Sequence, residues 1–272
     1  MRVKLLFVCF IAGWLGAKAQ TNKLVAGTRL QITQVSKLIN AVNMMGTDMT
    51  TEINSTIYST VEIKRIIGDS IVVSSTTTRI TGNVKALGQD NSYDSNDSSS
   101  VNNPLVASQL KDINQSKTFT IINGKAKTEN AKEASTDQSL AKVVDAGEES
   151  IVEGLFVPSE INNKAEGFKW TSDDKSEDGT QQQTTLFALT KLTPATSEVT
   201  ANTTMTVKGK IKMMGMDVNQ NLSGSHTSTS TYQKATGLLS AATQNIAMTG
   251  TEEVMGNSIP ISLKGVITTT VK

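Results

Sequence analysis

Residues 49–64 alternate between apolar and polar side chains more regularly than any other part of the chain. Met49 and every aliphatic side chain up to Ile63 occupy odd positions, whereas polar side chains such as Glu52 fill the even ones. Because successive side chains of a β-strand point to opposite faces of a sheet, this pattern predicts a long strand with one buried face. The predicted inward-facing side chains are Met49, Ile53, Ile57, Val61 and Ile63.

A Met-Met-Gly motif precedes this strand and recurs later in the chain. Residues 44–49 read MMGTDM and residues 213–218 read MMGMDV, which is an offset of 169 positions. The same offset brings Gly68 onto Gly237 and aligns the alternating patterns around the two motifs. Glycine can supply the positive φ of a tight turn, so each copy predicts a strand, a turn and a return strand.

Two related halves, at about residues 25–90 and 195–272, would explain this repeat. The alternative is convergence, in which two hairpins independently use glycine at a turn and methionine as a flexible filler. We predict the related halves, because the match includes the flanking strand patterns as well as the motif.

The return strand of the second copy carries the only histidine of the chain, His226, at the position that aligns with Ile57. A histidine on an inward face can be a neutral packed imidazole, a polar contact inside a cavity, or a metal ligand. Burial disfavours its charged form, and we predict the packed or cavity role. The two copies together predict a cavity lining of Met49, Ile53, Ile57, Val218, Leu222 and His226.

The middle of the chain, about residues 103–157, predicts two helices. Pro104 stands at a helix-start position, and Asp137 can cap a second helix that ends at Gly154. Elsewhere, Asn123-Gly124 predicts a two-residue hairpin, and the threonines within residues 70–87 predict a strand with a bulge. The predicted fold class is therefore α+β and β-dominated: a long antiparallel sheet, curved or closed, with two inserted helices between two related halves.

The first 19 residues predict a secretory signal peptide. A charged start is followed by an apolar core and an Ala17-Lys18-Ala19 cleavage site, and Cys9 lies too early in the core for a lipoprotein signal. The prediction is an exported protein, in the periplasm, associated with the outer membrane or extracellular, with residues 20–272 as a single β-rich domain. That domain contains no cysteine, so disulfides and thiol catalysis are excluded.

The composition of residues 20–272 excludes several function classes. The 23 basic and 25 acidic residues that remain there nearly balance, so no nucleic-acid footprint is predicted. No apolar run after the signal peptide reaches membrane-spanning length. The oligomeric state is left open by the sequence.

Catalytic groupings are not marked by the sequence. With one histidine and no strand-to-helix nucleophile turn there is no predicted triad, and no cofactor is predicted. A pair of carboxylates could still hydrolyse a glycoside, although no pair is marked. The acidic residues of 89–103 lack the glycine and glutamate that a calcium loop needs, and the cluster at residues 173–178 is more typical of a solvated loop. A third alternative is copper(I), because methionines crowd the two turns, but packing is the more common use of methionine.

Several short motifs carry a resemblance to a known family. They are Tyr93-Asp94-Ser95, residues 119–124, Leu155-Phe156-Val157-Pro158, Gly167 with Trp170, and Thr236-Gly237-Leu238. The layout resembles a family of exported Bacteroidota proteins, one of the numbered domains of unknown function, over nearly all of residues 20–272. The resemblance implies a fold and no catalytic or binding residue. More loosely, the layout is similar to periplasmic lipoprotein-carrier half-barrels, which wrap a curved antiparallel sheet around an apolar ligand.

The sequence therefore predicts a non-enzymatic binding or structural module of the cell envelope. Its predicted partner is an apolar ligand such as a lipid, or an envelope protein. The alternatives are a carboxylate-dependent hydrolase and a copper(I)-binding protein.

Overall fold

The computed structural model describes residues 24–44, 47–68, 70–86, 88–101, 110, 113–122, 125–128, 148–175, 181–213, 216–254 and 256–272. The predicted signal peptide lies outside these residues, as does most of the predicted helical segment. No helix in the described ranges has the length and apolar character to cross a membrane.

Strands dominate the described residues, and two short helices and one 3-10 helix accompany them. The strands are β1 Arg29–Met44, β2 Thr47–Ile67, β3 Ser70–Ala86, β4 Gln89–Asp94, β5 Ser116–Ile122, β6 Lys125–Thr128, β7 Lys169–Lys175, β8 Gln181–Leu192, β9 Thr196–Met213, β10 Met216–Gln233, β11 Leu239–Val254 and β12 Asn257–Val271. The helices are α1 Ser98–Val101 and α2 Glu148–Glu153, and the 3-10 helix is Ser159–Ile161.

All twelve strands belong to one antiparallel sheet. Its order is β6-β5-β3-β2-β1-β12-β11-β10-β9-β8-β7, and β4 pairs with β3 outside this path. The first and last long strands meet at its centre, where β1 pairs with β12 from Ile32↔Val271 to Val42↔Ile261. The β-dominated antiparallel fold is confirmed. The closed form of the sheet is wrong, because β6 and β7 end the strand order without pairing with each other.

One face of this sheet is buried along its long strands and the other is exposed. On β2 the buried side chains are at odd positions, as the alternation predicts, and on β10 and β11 they are at even positions. We call the buried face the inner face. Its apolar side chains form two large clusters, one around Phe187, Leu189 and Tyr232 and the other around Leu38, Leu222 and Met248.

Residues 148–168 connect the two sides of the sheet at one end, and we call them the strap. At its start, the Ala126 N–H of β6 donates to Glu153 Oε1 at 2.8 Å. In its middle, Leu239 N–H donates to Leu155 O, and Val157 N–H donates to Gly237 O, both at 2.8 Å. Leu155 and Val152 are fully buried in the Phe187 cluster, so the strap closes this end of the inner face.

Several local predictions are confirmed. The hairpin at Asn123-Gly124 has its strands paired at Ile122↔Lys125, although the two turn residues lie outside the described ranges. The bulge among the threonines is at Thr78, which is skipped between the pairs Tyr58↔Arg79 and Ser59↔Thr77. Its hydroxyl donates to Tyr58 O at 3.1 Å, which holds the extra residue in place.

Other local predictions are corrected or stay open. Residues 89–94, predicted to be loop, form strand β4, because Tyr93 is buried under β3 and Arg79 pairs with Asp94. Of the first predicted helix, only Leu110 is described as helical, and the described end of the second is α2. The two Met-Met-Gly hairpins share a register after the shift of 169 positions, with Met44↔Thr47 and Met213↔Met216. Two unrelated hairpins with two-residue turns would pair in the same way, so the relation of the halves stays a prediction.

Candidate ligand-binding site

The six predicted lining residues all lie on β2 and β10, at positions that belong to the inner face. Five of them are buried, and Met49 is half-buried. The structure brings Ile53 and Leu222 into one apolar cluster, whereas Ile57 belongs to a separate one with Ile80, Tyr93 and Leu110. The set is therefore spread over one long face, and its role as a cavity lining stays a prediction.

The end of the inner face that lies opposite the strap is the hairpin end. Here the apolar cluster of Leu38 and Leu222 continues into Val42 and Ile259, which are half-buried. Met49 pairs with Val42 across β1 and β2 and is also half-buried. Because all three side chains are only half-buried, this end presents partly accessible apolar surface.

A belt of buried polar side chains separates the two large apolar clusters, and the alternating pattern did not predict it. Its members on the inner face include Gln34, Ser36, Ser55, Thr185, Thr203, Ser228 and Gln244. Thr185 and Thr203 hydrogen-bond to each other at 2.8 Å, but Ser36 Oγ and Gln244 Oε1 have no partner among the described residues. The sequence does contain a trace of this belt, namely polar residues at inward-facing positions of the strands. Judged by alternation alone, these residues only make the strand pattern less regular.

His226 lies at the boundary between this belt and the Leu222 cluster. It pairs with Thr203 on β9 and with Ile246 on β11, and it is 6% exposed. Burial lowers the pKa of His226 to about 4, so its imidazole is neutral at physiological pH. A buried, neutral imidazole is compatible with both predicted roles, the packed side chain and the polar contact inside a cavity, so the role of His226 stays a prediction.

Glu252 is a buried carboxyl group near the hairpin end. It accepts a hydrogen bond from Gln220 Nε2 at 3.0 Å, and burial raises its pKa above the ordinary value. When folding raises the pKa of a group, the group contributes most to the free energy of unfolding at pH values below its pKa in the unfolded chain. This contribution is lost as the pH rises through its pKa in the folded protein. Burial of Glu252 therefore weakens the fold at neutral pH.

The Glu252→Gln variant should be more stable than the wild-type protein at pH 7, and this difference should shrink towards pH 4. The amide keeps a hydrogen-bonding group at this position but carries no charge to desolvate. Urea unfolding at several pH values measures the difference. The Glu253→Gln variant removes a charge from the exposed neighbouring position and controls for net charge. A constant difference across this range would show that Glu252 is not the source of the pH dependence.

The described residues can be compared with the three metal sites considered in the sequence, namely residues 89–103, the acidic cluster at 173–178 and the methionines of the two turns. The described residues contain no group of three or more His, Cys, Asp or Glu that could hold a metal ion. Asp94 is paired with Arg79, and Glu177 and Asp178 of the acidic cluster lie outside the described residues. His226 is ten positions from Met216 on strand β10, or about 33 Å at the rise of an extended strand, so it cannot share a site with the turn methionines.

An open pocket of about 580 Å³ lies where β7 to β10 run side by side. Its lining is mostly polar and includes Asp173, Asp174, Gln183, Met205 and Gly224. The two aspartates are adjacent on β7, so their side chains point to opposite faces of the sheet. The carboxylate pair that a glycosidase needs is therefore not formed by Asp173 and Asp174.

The fold of this chain is similar to part of one solved structure. No protein-family model matches the chain, and no curated protein matches it. The structure of lipovitellin is similar with a TM-score of 0.53 and 11% identity, and the match covers 91% of this chain and 25% of that one. This chain therefore spans about a quarter of lipovitellin.

Two further solved structures match less well. An outer membrane channel from Pseudomonas putida F1 has a TM-score of 0.39 and 9% identity, with 95% of this chain and 100% of that chain covered. An outer membrane lipoprotein-sorting protein domain from Vibrio parahaemolyticus has a TM-score of 0.17 and 9% identity, with 86% and 83% covered. These two scores are too low to support an argument, and membership in the Bacteroidota family stays a prediction.

Proposed function

We propose that this protein is an exported, non-enzymatic module of the cell envelope that holds an apolar ligand, such as a lipid acyl chain, at the hairpin end of its inner face. The observation that carries the proposal is the difference between the two ends of that face. The strap covers one end with buried side chains, whereas Val42, Met49 and Ile259 remain half-buried at the other. Partly accessible apolar surface that continues into a buried apolar cluster is typical of lipid-binding sites.

The fold likeness to lipovitellin supports this proposal. Lipovitellin is a protein with known lipid–protein interactions, and the shared fold means that a sheet of this kind is compatible with lipid binding. Transfer of the property to this chain belongs to the proposal, as do the location in the envelope and the signal peptide. A purely structural role in the envelope is the outcome if no ligand binds.

A carboxylate-dependent hydrolase is the less favoured function. The pocket on β7 to β10 offers two aspartates on opposite sheet faces, and Glu252 is bonded to an amide rather than placed opposite a second acid. Neither arrangement matches two carboxyl groups that face each other across a substrate.

The proposal predicts that the native protein co-purifies with lipid. After the lipid is removed, a fluorescent fatty acid should bind the protein, and the extracted lipid should compete with it. A charge at the hairpin end should weaken this binding at least about tenfold in the Ile259→Glu variant, because a carboxylate there must be desolvated when an acyl chain covers it. Mass spectrometry of a lipid extract and a fluorescence titration measure the two effects.

The matched control is Val266→Glu, which places the same charge on the exposed face of the same strand. It should leave fatty-acid binding unchanged. If the extract contains no lipid and the fatty acid does not bind, or if both variants weaken binding equally, the ligand proposal fails and the structural role remains.

A further inference from the structure

Glu252 and Gln220 form a polar pair within the apolar hairpin end. They are paired across β11 and β10, and Gln220 Nε2 donates to Glu252 Oε1 at 3.0 Å. Glu252 is 9% exposed and Gln220 is 5% exposed. The nearest inward-facing positions on β10, Val218 and Leu222, are buried aliphatic side chains. The pair therefore lies in apolar surroundings, where a polar atom without a hydrogen bond is costly.

Both members of this pair have an oxygen atom without a donor. Gln220 Oε1 is buried and has no hydrogen-bond partner among the described residues. The carboxyl group of Glu252 receives one hydrogen bond from these residues, at Oε1, which leaves its second oxygen without one. When Glu252 is ionised, the amide must turn its N–H group towards the carboxylate, because two acceptors that face each other repel. The pair therefore offers acceptors and lacks donors.

The pair also borders the surface to which the apolar ligand is assigned. Ile259 of β12 is paired with Glu252 and is half-buried. Neighbouring strands are about 4.8 Å apart, so the backbone of Glu252 is one strand spacing from that surface. On the other side, Gln220 is paired with Gly209 of β9, which has no side chain that could donate to the amide. A ligand on the apolar surface is thus next to two unsatisfied oxygen atoms.

The missing group can be identified by its chemistry. No lysine or arginine whose side chain the structure describes is buried, so the described part of the inner face supplies no cation to Glu252. A hydroxyl group has a single hydrogen to donate, and the carboxylate of a fatty acid has none and would be repelled by Glu252. A primary ammonium group donates three hydrogen bonds and carries a positive charge, so it can satisfy both oxygens and neutralise the carboxylate.

We propose that Glu252 and Gln220 bind the polar end of the apolar ligand, and that this end is a primary ammonium group. The inference rests on the proposed function, because it assigns the head group of the same ligand whose acyl chain lies on Val42, Met49 and Ile259. The ammonium group donates to the Glu252 carboxylate and to Gln220 Oε1. A buried acid that weakens the free protein thereby contributes to binding. Long-chain amines and phosphatidylethanolamine both carry this group.

Displacement of the fluorescent fatty acid from the delipidated protein by amphiphiles of equal chain length tests the proposal. Dodecylamine should bind at least about tenfold more tightly than dodecyltrimethylammonium, which has the same charge and no N–H group, and than dodecanoate. The Glu252→Gln variant should lose at least about tenfold in affinity for dodecylamine and should bind dodecanoate no more weakly than the wild-type protein does. The control variant Glu253→Gln, on the exposed face, should keep the wild-type order.

The outcomes separate this inference from the function on which it rests. If neither the fatty acid nor any of the amphiphiles binds, the proposed function fails and the head-group assignment fails with it. If the fatty acid binds but dodecylamine has no advantage over dodecyltrimethylammonium, only the assignment fails. The same holds if Glu252→Gln weakens dodecylamine and dodecanoate equally, because the substitution then distorts the site rather than removing a counter-ion.

A measurement on the unmodified chain does not depend on the folding of a variant. In protein with isotope-labelled glutamate, dodecylamine should shift the NMR signal of the Glu252 carboxyl carbon and leave that of Glu253 in place. A shift confined to Glu253 would overturn the site. Lysophosphatidylethanolamine and lysophosphatidylcholine with the same acyl chain then distinguish the sources of the ammonium group. Tighter binding of the former would point to a phospholipid, and equal binding beside tight dodecylamine binding would point to an amine without a phosphate.

Discussion

Replacing Phe187 by alanine should lower the free energy of unfolding by about 4 kcal/mol, the cost of removing a large buried side chain from a packed cluster. Phe187 is fully buried, and its ring stacks on Trp170 with centroids 4.9 Å apart. Trp170 in turn stacks on Phe168 of the strap at 5.7 Å. The cavity would therefore open at the point where the strap meets the edge of the sheet, and urea unfolding measures its cost.

The control for this prediction is the neighbouring residue, Leu186, which points to the other face and is 44% exposed. The Leu186→Ala variant should cost only about 0.5 kcal/mol, as for other surface substitutions. Hydrogen exchange gives a second readout, because Gly167 N–H donates to Leu189 O and should lose protection only in the Phe187 variant. Equal costs for the two variants would contradict the assignment of the inner face.

Local alternation explains why so much of the sheet could be predicted from the sequence. The inward positions of β2 and β10 follow from a two-residue period that one buried face imposes, and the break at Thr78 is visible as a change of parity. Strand β4 escaped prediction because QDNSYD contains only one large side chain, Tyr93, and its burial depends on a partner strand. A pattern within one strand cannot report which other strand lies beside it.

The neighbours of each strand could not be predicted, because they depend on pairing between segments that are far apart in the sequence. The contact of β1 with β12 joins residues more than 200 positions apart, and no local signal marks it. The same holds for the flanking of His226 by Met205 and Met248, because their proximity follows from the registers of β9 to β11. The sequence directed attention to the methionines at the turns, where the motif repeats, whereas the strand registers place Met205 and Met248 on either side of the strand that carries the imidazole.

Two glycines at inner-face positions, Gly82 and Gly250, lie where the backbone of a neighbouring strand comes very close. A Cβ added at Gly250 would overlap the backbone oxygen of Asn221, and one at Gly82 would overlap that of Asn54. Glycine in a strand interior is used at such sites, because any side chain would collide with the approaching backbone. We therefore expect the packing of β11 against β10 to depend on the absence of a side chain at Gly250.

The Gly250→Ala variant should accordingly lose about 3 kcal/mol of stability, at the upper end of the cost of overpacking, because the obstructing atom is backbone and cannot rotate away. Thermal and urea unfolding measure the loss, and Thr249→Ala, on the exposed face next to it, should stay within about 0.5 kcal/mol of the wild-type protein. Fatty-acid binding adds a second readout: if the variant folds at low temperature but binds poorly, the close strand approach at Gly250 contributes to the shape of the ligand site. A Gly250→Ala protein as stable as Thr249→Ala would mean that the neighbouring backbone can move to admit a side chain and that the fold does not require glycine at this position.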